Sequence, residues 1–219
     1  MIILSLSGGM DSATLLGHLD QEGWSDIHAC SFYYGSKHNI YENHSAEKLA
    51  KYYSIPLFYI DISNIMSLFK SNLLLTGESI PEGHYQSEQM RQTVVPSRNL
   101  IFSSIMAGIA ESMGASAIAL GVHSGDHYIY PDCRFEFIQS LDKTIHLSTD
   151  GKVKVIAPFI NLFKEDILTV GYNLDKPVPY HLTRTCYKAQ FLSCGKCGSC
   201  VERLEAFQNI GKKDPIKYE

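Results

Sequence analysis

Short apolar segments alternate along the chain with longer segments in which apolar residues recur at every third or fourth position. The short segments predict strands at residues 2–6, 27–33, 57–60, 117–121 and 153–156. The longer segments predict helices at residues 11–21, 38–53, 97–113, 134–147 and 162–172. Strands that alternate with helices are typical of proteins in which crossover helices cover a parallel sheet. The pattern therefore predicts an α/β fold with a doubly wound parallel sheet.

Two segments depart from a simple amphipathic pattern. The helix predicted at residues 97–113 is apolar nearly all round, so we expect it to be packed on both sides. Ser97 is a natural N-cap for this helix, and Gly114 can end it as a left-handed cap. Residues 71–96 show little periodicity, and a loop of that length is usually functional or mobile. Two interpretations of this segment remain, a lid over a site and an arm in an oligomer.

Composition narrows the class of protein. The chain has 219 residues, of which 45% are hydrophobic, so it can bury a core as one globular unit. The net charge of -4 gives no basic footprint, which argues against a nucleic-acid partner. No stretch resembles a secretory signal or reaches the ~20 apolar residues of a membrane span. We expect a cytoplasmic protein with no membrane partner and a solvated end at GKKDPIKYE, its last residues.

The first candidate for chemistry is SGGMDS, residues 7–12, between the first strand and the first helix. Doubly wound sheets bind anions at this place, where a strand ends and a helix begins. The glycines let backbone N–H groups approach a phosphate, the serines add hydroxyl donors, and Asp11 can cap the helix. The loop lacks the lysine of a Walker motif, which disfavours γ-phosphate transfer of that type. An ordinary glycine turn is the alternative.

Four of the six cysteines form a cluster with the spacing C-x7-C-x2-C-x2-C, at Cys186, Cys194, Cys197 and Cys200. Such close spacing does not suit a disulfide framework in a chain without a secretion signal. Four thiolates suit a tetrahedral Zn²⁺, and an iron–sulfur cluster is the rival. Because four cysteines fill every position, we expect one structural zinc per chain. We expect residues 1–180 to form the catalytic domain and residues 181–219 a zinc-binding segment packed on it.

SGGMDS directly after a strand resembles the PP-loop of the ATP pyrophosphatase superfamily, whose fold is an adenine nucleotide α-hydrolase-like sheet. There the loop grips pyrophosphate while the α-phosphorus of ATP is attacked. Further segments resemble the QueC family of 7-cyano-7-deazaguanine (preQ0) synthases, in that family's order and over essentially the whole chain. They are YGSKH (34–38), VVPSRN (94–99), GVHSGDHYIYPDCRFEF (121–137) and the cysteine cluster. Ser36 departs from the family, which commonly has glutamine there, and the family often has a basic residue where Lys37 stands.

The resemblance assigns roles to single residues. It implies ATP binding by Leu6, Ser7, Gly8, Gly9, Met10, Asp11, Ser12, Ala13, Thr14 and Arg98. It implies substrate binding or catalysis by Tyr34, His38, Asn99, His123, Asp126, Tyr130, Asp132 and Arg134. It also implies that the four clustered cysteines hold zinc.

Elementary chemistry agrees with several of these roles. A cation in the first turn of a helix is unfavourable, so an anion is a sensible partner for Arg98, although an ordinary surface arginine is the alternative. The loop after residue 121 can offer carboxylates to the N–H edge of a guanine-like base and Arg134 to a carboxylate. Tyr128 and Tyr130 can stack on a ring. A solvated polar loop is the alternative, and Cys133 as a nucleophile is disfavoured.

The reaction that the resemblance implies converts a carboxylate, 7-carboxy-7-deazaguanine, into a nitrile at the expense of ATP, accompanied by Mg²⁺. An acyl adenylate and an amide are the expected intermediates. Ile2 follows Met1 where glutamine amidotransferases have a catalytic cysteine, so free ammonia is the expected nitrogen source. His123 or Asp126 can take protons from the amine. The family and the 71–96 segment both suggest a homodimer.

Three other functions are open from the sequence. A QueC-like enzyme can stop at the amide or pass the activated acid to another acceptor. A PP-loop tRNA sulfurtransferase needs a basic surface and a catalytic or cluster-bearing thiol pair. A noncatalytic nucleotide-binding module binds ATP without releasing pyrophosphate.

Overall fold

One parallel sheet of five strands organises the chain. The computed structural model describes residues 1–84 and 87–219, and the side chains of Asp126 and His127 also lie outside the described part. The strands are β1 (Ile2–Ser5), β2 (Ile27–Tyr33), β3 (Leu57–Asp61), β4 (Ala117–Ala119) and β5 (Lys154–Ile156). Their order across the sheet is β3-β2-β1-β4-β5. The predicted strands are therefore confirmed, with ends that differ by only one or two residues.

Helices connect the strands and cover both faces of the sheet. They are α1 (Met10–Gln21), α2 (Asn39–Tyr53), α3 (Ser63–Met66), α4 (Arg98–Met113), α5 (Phe135–Ser148), α6 (Lys164–Asn173) and α7 (Gly198–Asn209). The five predicted helices correspond to α1, α2, α4, α5 and α6. The sequence did not predict the short α3, or α7, whose first turn of glycine, serine and cysteine has weak helix propensity.

Successive residues of β1 point into two different cores. Ile2 and Leu4 pack with α1, α2, α6 and α7 on one face, whereas Ile3 packs with α4 and α5 on the other. Each of these side chains is fully buried, which stabilises the fold by roughly 1.5–3 kcal/mol per residue relative to exposure. The doubly wound arrangement is confirmed. None of the helices in the described residues has both the length and the apolar character needed to cross a bilayer.

The strand order reverses at β1. The chain moves from β1 through β2 to β3 on one side, and then returns through α4 to place β4 on the other side. In an open parallel sheet, such a reversal leaves a crevice beyond the carboxyl ends of the two strands. The loop at residues 7–12 lies at this crevice because it follows β1 directly.

Two expectations for α4 change. Phe102, Met106 and Ala110 are buried against the sheet, but the opposite face, which includes Leu100 and Gly108, is exposed. Packing on both sides is therefore not found within the described chain. Gly114 does end the helix in the left-handed region, with φ +73°.

The start of α4 also differs from the prediction. Ser97 occupies the N-cap position, but its side chain makes no capping hydrogen bond, and its own backbone is left-handed with φ +52°. Instead, the Asp132 Oδ2 atom accepts a hydrogen bond from the backbone N–H of Asn99 at 2.8 Å. The cap is supplied by the segment after β4, which a local motif cannot reveal.

The described parts of residues 71–96 are packed on the body of the protein. Leu73, Leu74, Met90 and Val95 are buried in the core on the α4 side. A 3₁₀ helix, Glu88–Thr93, forms part of the segment. The segment thus contributes core side chains, which neither a free lid nor a free arm would do.

The expected solvated end is confirmed for most of its residues, six of which are exposed, but not for all of them. Asp214 is buried and pairs with Arg203 of α7, with Nε and Oδ2 at 2.7 Å. Tyr218 donates from its hydroxyl to Asp214 Oδ2 at 2.5 Å, and the backbone N–H of Glu219 donates to the carbonyl of Ser193 at 3.0 Å. The last residues therefore close over the cysteine segment.

Candidate active site and metal site

An open cavity of about 180 Å³ lies beyond the carboxyl ends of β1, β2 and β4. Its floor is the loop at residues 7–12, called the phosphate loop below, from which Ser7, Gly9, Asp11 and Ser12 line the cavity. Its walls come from the end of β2, the start of α4, the segment after β4 and the segment before the cysteines. This position is the one at which doubly wound sheets bind ligands.

Hydrogen bonds between neighbouring residues shape the phosphate loop. The Ser12 hydroxyl donates to the Gly9 carbonyl at 3.1 Å, and the Gly9 N–H donates to Ser7 Oγ at 3.2 Å. Gly8 has φ +84°, and a Cβ atom there would lie 2.4 Å from the backbone oxygen of Glu42. Only glycine fits this place. The first N–H groups of α1 lack intrahelical partners, so the loop and the helix start can bind an anion.

The residues that the resemblance assigned to ATP divide into two groups. Those that line the cavity are Leu6, Ser7, Gly9, Asp11, Ser12 and Arg98, and those buried behind it are Gly8, Met10, Ala13 and Thr14. The Thr14 hydroxyl donates to the Met10 carbonyl at 2.8 Å and is paired with the Tyr180 hydroxyl at 2.8 Å. The inner group fixes α1 in the core and so supports the loop from behind.

Arg98 brings a positive charge to the cavity wall. Its Cζ atom lies 6.0 Å from the ring centre of Tyr34 and 5.8 Å from that of Tyr130. Burial alone lowers the pKa of the guanidinium, but the neighbouring Tyr34, Tyr130 and Asp132 raise this pKa well above its ordinary value. Arg98 is therefore charged at every physiological pH, and its planar fork suits a phosphate or a carboxylate.

Aromatic side chains form another part of the wall. The Tyr130 hydroxyl lies 3.1 Å from Thr93 Oγ1 and 3.4 Å from the Tyr187 hydroxyl. The ring of Tyr187 lies 5.2 Å from that of His38. Burial raises the pKa of Tyr34 to about 12, so its hydroxyl is neutral. Such a wall can stack on a flat heterocycle and also offer it hydrogen bonds.

His38 is placed to meet a ligand. Only 1% of its side chain is exposed, it lines the cavity, and its Nε2 atom lies 3.4 Å from Glu42 Oε2. Among the described residues, its Nδ1 atom is buried without a hydrogen-bond partner. A buried ring nitrogen of this kind is costly unless a ligand or water pairs with it.

Asn99 joins α4 to the segment after β4. Its Nδ2 atom donates to the Asp132 carbonyl at 3.0 Å and contacts Cys133 Sγ at 3.1 Å. Asn99 and Cys133 line the cavity, whereas Asp132 does not. Asp132 therefore serves α4 as its cap rather than facing the cavity.

Other residues of the segment after β4 also lie away from the cavity. Arg134 is exposed, and Tyr128 is 51% exposed. His123 is fully buried outside the cavity wall, and its Nε2 atom lies 3.8 Å from Asp11 Oδ2. The side chain of Asp126 lies outside the described part of the chain. Of this segment, Leu120, Gly121, Val122, Tyr130 and Cys133 line the cavity, whereas the described charged residues that the motif suggested do not.

Residues that the sequence did not single out complete the site. Lys164, the first residue of α6, lines the cavity, and its Nζ atom lies 3.4 Å from Asp11 Oδ2 and 2.6 Å from Glu202 Oε2. Tyr187 and Arg184 also line the cavity. These residues lie far from the phosphate loop in sequence. The one local signal is a lysine at a helix N-terminus, where the helix dipole disfavours a cation.

Arg184 ties the segment before the cysteines to the phosphate loop. Its backbone N–H donates to the Gly8 carbonyl at 2.8 Å, and its Cζ atom lies 4.3 Å from the ring centre of Tyr41. Its guanidinium donates to the carbonyls of Lys188, Gln190 and Phe191. The guanidinium therefore holds a turn together while the backbone touches the loop.

The four clustered cysteines meet in space. The sulfur atoms of Cys186, Cys194, Cys197 and Cys200 all lie within 4.8 Å of one another, and all four residues are buried. Four Zn–S bonds of about 2.3 Å would place tetrahedral sulfurs about 3.8 Å apart, so the sulfurs suit a metal of this size. Cys194 Sγ accepts from the backbone N–H groups of Lys196 at 3.4 Å and Cys197 at 3.3 Å. Such donors stabilise thiolate ligands.

Comparison with known proteins agrees with this geometry. A family model described as "Queuosine biosynthesis protein QueC" matches residues 1–211. The chain belongs to the QueC family. The resemblance inferred from SGGMDS and the later segments is thereby confirmed.

Individual relatives match over nearly their whole length. A protein of Caldicellulosiruptor saccharolyticus named 7-cyano-7-deazaguanine synthase is 45% identical over 217 residues, covering 99% of this chain and 95% of the relative. A protein of Desulfotalea psychrophila with the same name is 46% identical over 216 residues, covering 99% and 97%. Among solved structures, glutamine-dependent NAD+ synthetase from Acinetobacter baumannii in complex with ADP shares 15% identity at a TM-score of 0.45, covering 84% of this chain and 32% of that one.

Ser36, which departs from the QueC pattern, and the neighbouring Lys37 both contact the 71–96 segment. Ser36 is buried and pairs with Leu74 in an isolated β-bridge. Lys37 donates from Nζ to three backbone carbonyls, those of Asn72, Gly77 and Glu78. Burial lowers the pKa of Lys37. Both residues therefore anchor the 71–96 segment in this member of the QueC family rather than face the cavity.

Proposed function

We propose that this protein is an ATP-dependent ligase that makes 7-cyano-7-deazaguanine from 7-carboxy-7-deazaguanine and ammonia, in queuosine or related deazapurine biosynthesis. The observation that carries the proposal is the QueC match over residues 1–211, together with full-length relatives that bear the synthase name. The cavity supports it, because a phosphate loop, a cation and aromatic side chains meet at one edge of the sheet.

The chemistry needs two activations. A carboxylate oxygen attacks the α-phosphorus of ATP, pyrophosphate leaves, and an acyl adenylate forms. Ammonia attacks the acyl carbon and AMP leaves, which gives the amide. The amide oxygen then attacks the α-phosphorus of a second ATP, pyrophosphate and a proton leave, and loss of AMP and a further proton from the adenylated amide gives the nitrile. Both oxygens of the original carboxylate therefore end in AMP.

The proposed ATP contacts are those at the cavity floor. The phosphate loop, residues 7–12, would hold the departing pyrophosphate with its hydroxyls and the N–H groups at the start of α1. Arg98 would pair with phosphate or with the substrate carboxylate, since it is charged and lines the cavity. Mg²⁺ would accompany ATP and neutralise the charge that develops on the leaving group.

The proposed contacts to the deazaguanine ring are those of the aromatic wall. Tyr34, His38 and Tyr130 line the cavity beside Asn99. His38 Nδ1 can pair with a polar atom of the ring, which would satisfy this buried nitrogen. His123 would act on the phosphate loop through Asp11, and Asp132 would hold the start of α4.

Product analysis tests the proposal. The purified protein with the acid, ammonia, ATP and Mg²⁺ should yield the nitrile by mass spectrometry, with two AMP formed per nitrile. If the acid carries ¹⁸O in both carboxylate oxygens, each AMP should carry one label. Amide as the only end product would contradict the nitrile assignment, and ATP binding without acid-dependent pyrophosphate release would contradict catalysis. Glutamine in place of ammonia should give no product.

The geometry of the four cysteines is compatible with a metal site, and we propose that they hold one structural zinc. The spacing of the sulfurs, their burial and their backbone donors support this choice. Elemental analysis of the purified protein should find about one zinc per chain and no visible absorbance. Iron with acid-labile sulfide would contradict zinc and reopen the sulfurtransferase alternative.

We also propose that residues 181–219 form a subdomain that packs on residues 1–180. We further propose that the protein is a homodimer and that it lies in the cytoplasm, where ATP is available. Packing of Ala206 and Phe207 in the main core supports the subdomain arrangement. The exposed face of α4, flanked by half-buried Ile101 and Ile105, supports pairing through this helix. Sedimentation should give twice the chain mass, and Ile105→Glu should give the monomer mass. A monomeric parent protein would contradict the dimer.

A further inference from the structure

The phosphate loop has no basic residue of its own. Residues 4–17 contain no lysine or arginine, although polyphosphate-binding loops commonly recruit a lysine. Lys164 reaches the loop from α6. Its side chain is only 6% exposed, it lines the cavity, and its Nζ atom lies 3.4 Å from Asp11 Oδ2. Lys164 thus brings to the phosphate loop the positive charge that the loop's own sequence lacks.

Lys164 is an unfavourable residue at this position unless something holds it there. As the first residue of α6, it opposes the helix dipole, and its burial removes water from the ammonium. Among the described residues, the carboxylate oxygen nearest to its ammonium is Glu202 Oε2, at 2.6 Å, which is closer than Asp11 Oδ2 at 3.4 Å. Glu202 does not line the cavity, whereas both Glu202 and Lys164 line a neighbouring pocket, so Lys164 lies between the two spaces.

We infer that Glu202 is a positioning residue that holds Lys164 at the phosphate loop, so that the Lys164 ammonium meets the pyrophosphate part of the nucleotide. The inference rests on the proposed function, in which this loop binds that part of ATP. A lysine side chain is flexible and strongly hydrated, so a point charge of this kind contributes most when a partner fixes it. When the nucleotide binds, the Lys164 ammonium would move from Asp11 towards the pyrophosphate.

The position of Glu202 is itself fixed on both sides along α7. Cys197 is the N-cap of this helix and Cys200 lies in its first turn, two residues before Glu202. Further along, Ala206 and Phe207 are buried in the core. The cysteine cluster therefore sets where α7 starts, and α7 sets where the Glu202 carboxylate meets Lys164.

The test measures the binding of inorganic pyrophosphate to the full-length, metal-loaded protein by calorimetry. Glu202→Gln keeps the shape of the side chain but loses the charge-assisted bond to Lys164. We expect it to bind pyrophosphate roughly tenfold more weakly than the parent protein. The matched control is Glu205→Gln, which removes the same charge from the same helix at a 48% exposed side chain. This control should bind pyrophosphate as the parent does, or slightly more tightly.

The direction of the change separates positioning from simple charge. Removal of any negative charge near an anion site favours the anion, so a pure charge effect would tighten binding in Glu202→Gln. Positioning predicts the opposite. Unchanged or tighter pyrophosphate binding in Glu202→Gln would overturn the inference. Metal content and melting temperature are measured on every variant, and Glu202→Asp replaces Glu202→Gln under the same criterion if the latter does not fold.

A double-mutant cycle shows whether Glu202 acts through Lys164. Lys164→Met removes the ammonium and should weaken pyrophosphate binding by roughly tenfold or more. Adding Glu202→Gln to Lys164→Met should then cause no further loss. A loss as large as in the single variant would show an independent effect and sink the inference. Nitrile formation is assayed separately: pyrophosphate results as expected without nitrile would refute only the synthase, and nitrile with normal pyrophosphate binding in Glu202→Gln would refute only the inference.

Discussion

Arg98 and Gly8 show how single residues set the properties of the cavity. Arg98 lies between the rings of Tyr34 and Tyr130 with its charge in the cavity wall. Gly8 lets the phosphate loop lie against the backbone of α2, where no side chain has room. One residue supplies charge and the other supplies space, and each therefore responds differently to substitution.

Arg98→Lys should keep the charge but lose the planar fork that binds an anion through two parallel hydrogen bonds. We expect kcat/KM for the acid to fall roughly 10- to 100-fold, which corresponds to about 1.5–3 kcal/mol. The rate is measured as the release of pyrophosphate. Arg91→Lys is the control, because Arg91 is exposed and forms an ion pair with Glu88, which is also exposed. Equal kcat/KM in the two variants would show that Arg98 does not bind an anion.

Gly8→Ala should destabilise the protein and impair ATP binding. A left-handed residue other than glycine costs about 1 kcal/mol, and the added Cβ would also meet the Glu42 oxygen at 2.4 Å. Gly23→Ala is a matched control, since Gly23 has φ +83° and nothing within 4 Å of its Cβ position. Urea unfolding should show a clearly larger loss for Gly8→Ala. If the two variants lose equal stability, the contact with α2 is unimportant.

The sequence identified the residues of the cavity only where function is local. SGGMDS was predicted because it joins a strand end to a helix start, whereas Arg98 and Tyr130 were assigned by the resemblance to the QueC family. Lys164 and Glu202 were not, because their meeting with Asp11 depends on how α6 and α7 pack. Asp132 was assigned to the substrate, since its use as a cap for α4 requires a contact between distant segments.

At the scale of elements, α7 is held by a buried ion pair rather than by apolar contacts alone. Arg203 is fully buried, and its guanidinium donates to both oxygens of Asp214 at 2.7 and 2.9 Å. It also donates to the hydroxyls of Thr183 and Thr185 and to the carbonyl of Tyr180. One side chain thus joins α7 to the segment before the cysteines and to the C-terminal residues.

Arg203→Met should destabilise the protein strongly, because it leaves the Asp214 carboxylate buried without its cation. Breaking a buried pair by removing one partner costs about 3–5 kcal/mol. Urea unfolding measures the loss, with Arg91→Met as an exposed control that should change stability little. Replacing both partners, as Arg203→Met with Asp214→Leu, should recover part of the stability. A single variant as stable as the parent would mean that the pair is dispensable.

Elements with a clear period were predicted almost to the residue, including all five strands. Such prediction works because burial on both faces of a parallel strand, or on one face of a helix, imposes a local pattern. The C-terminal residues were predicted as a solvated end, and most of them are exposed. The burial of Asp214 was missed because it depends on how this polar segment packs against Arg203 of α7.

Across the whole molecule, the cysteine cluster joins three separate parts of the chain. Glu82 of the 71–96 segment forms an isolated bridge with Cys197, and Ser193 forms another with Tyr218. The cluster also begins α7. A metal ion there would therefore help to hold together regions that lie far apart in the sequence.

Removal of the metal should lower stability in a way that spreads beyond the cysteines. A strong chelator should lower the melting temperature by about 10 °C or more, because the metal contributes folding free energy directly. Cys197→Ser should lower the melting temperature similarly without chelator. Cys133→Ser, which leaves the cluster intact, should still bind the metal. Hydrogen exchange should rise in α7 and the C-terminal residues. Melting that does not respond to complete metal removal would contradict a structural role.

Alkaline pH should destabilise the whole protein through a buried thiol. Burial raises the pKa of Cys30 from 9.0 to about 12, so the folded state keeps a proton that the unfolded chain has already lost. Stability is therefore unaffected below pH 9 and falls as the pH rises from 9 towards 12, by up to about 1.4 kcal/mol per pH unit. Urea unfolding at pH 8, 9 and 10 measures this slope. Cys30→Ala should have a shallower slope, and identical slopes would contradict the assignment to Cys30.

The cavity takes its floor from the first residues of the chain and parts of its walls from Lys164, Arg184 and Tyr187, near the other end. During synthesis on the ribosome, the phosphate loop emerges early, but β1 can pair with β2 and β4 only after those strands have been made. A nascent chain cannot assemble a complete nucleotide site until nearly all of its residues have left the exit tunnel. A chain terminated before residue 164 would therefore lack Lys164, Arg184 and Tyr187 and leave this cavity incomplete.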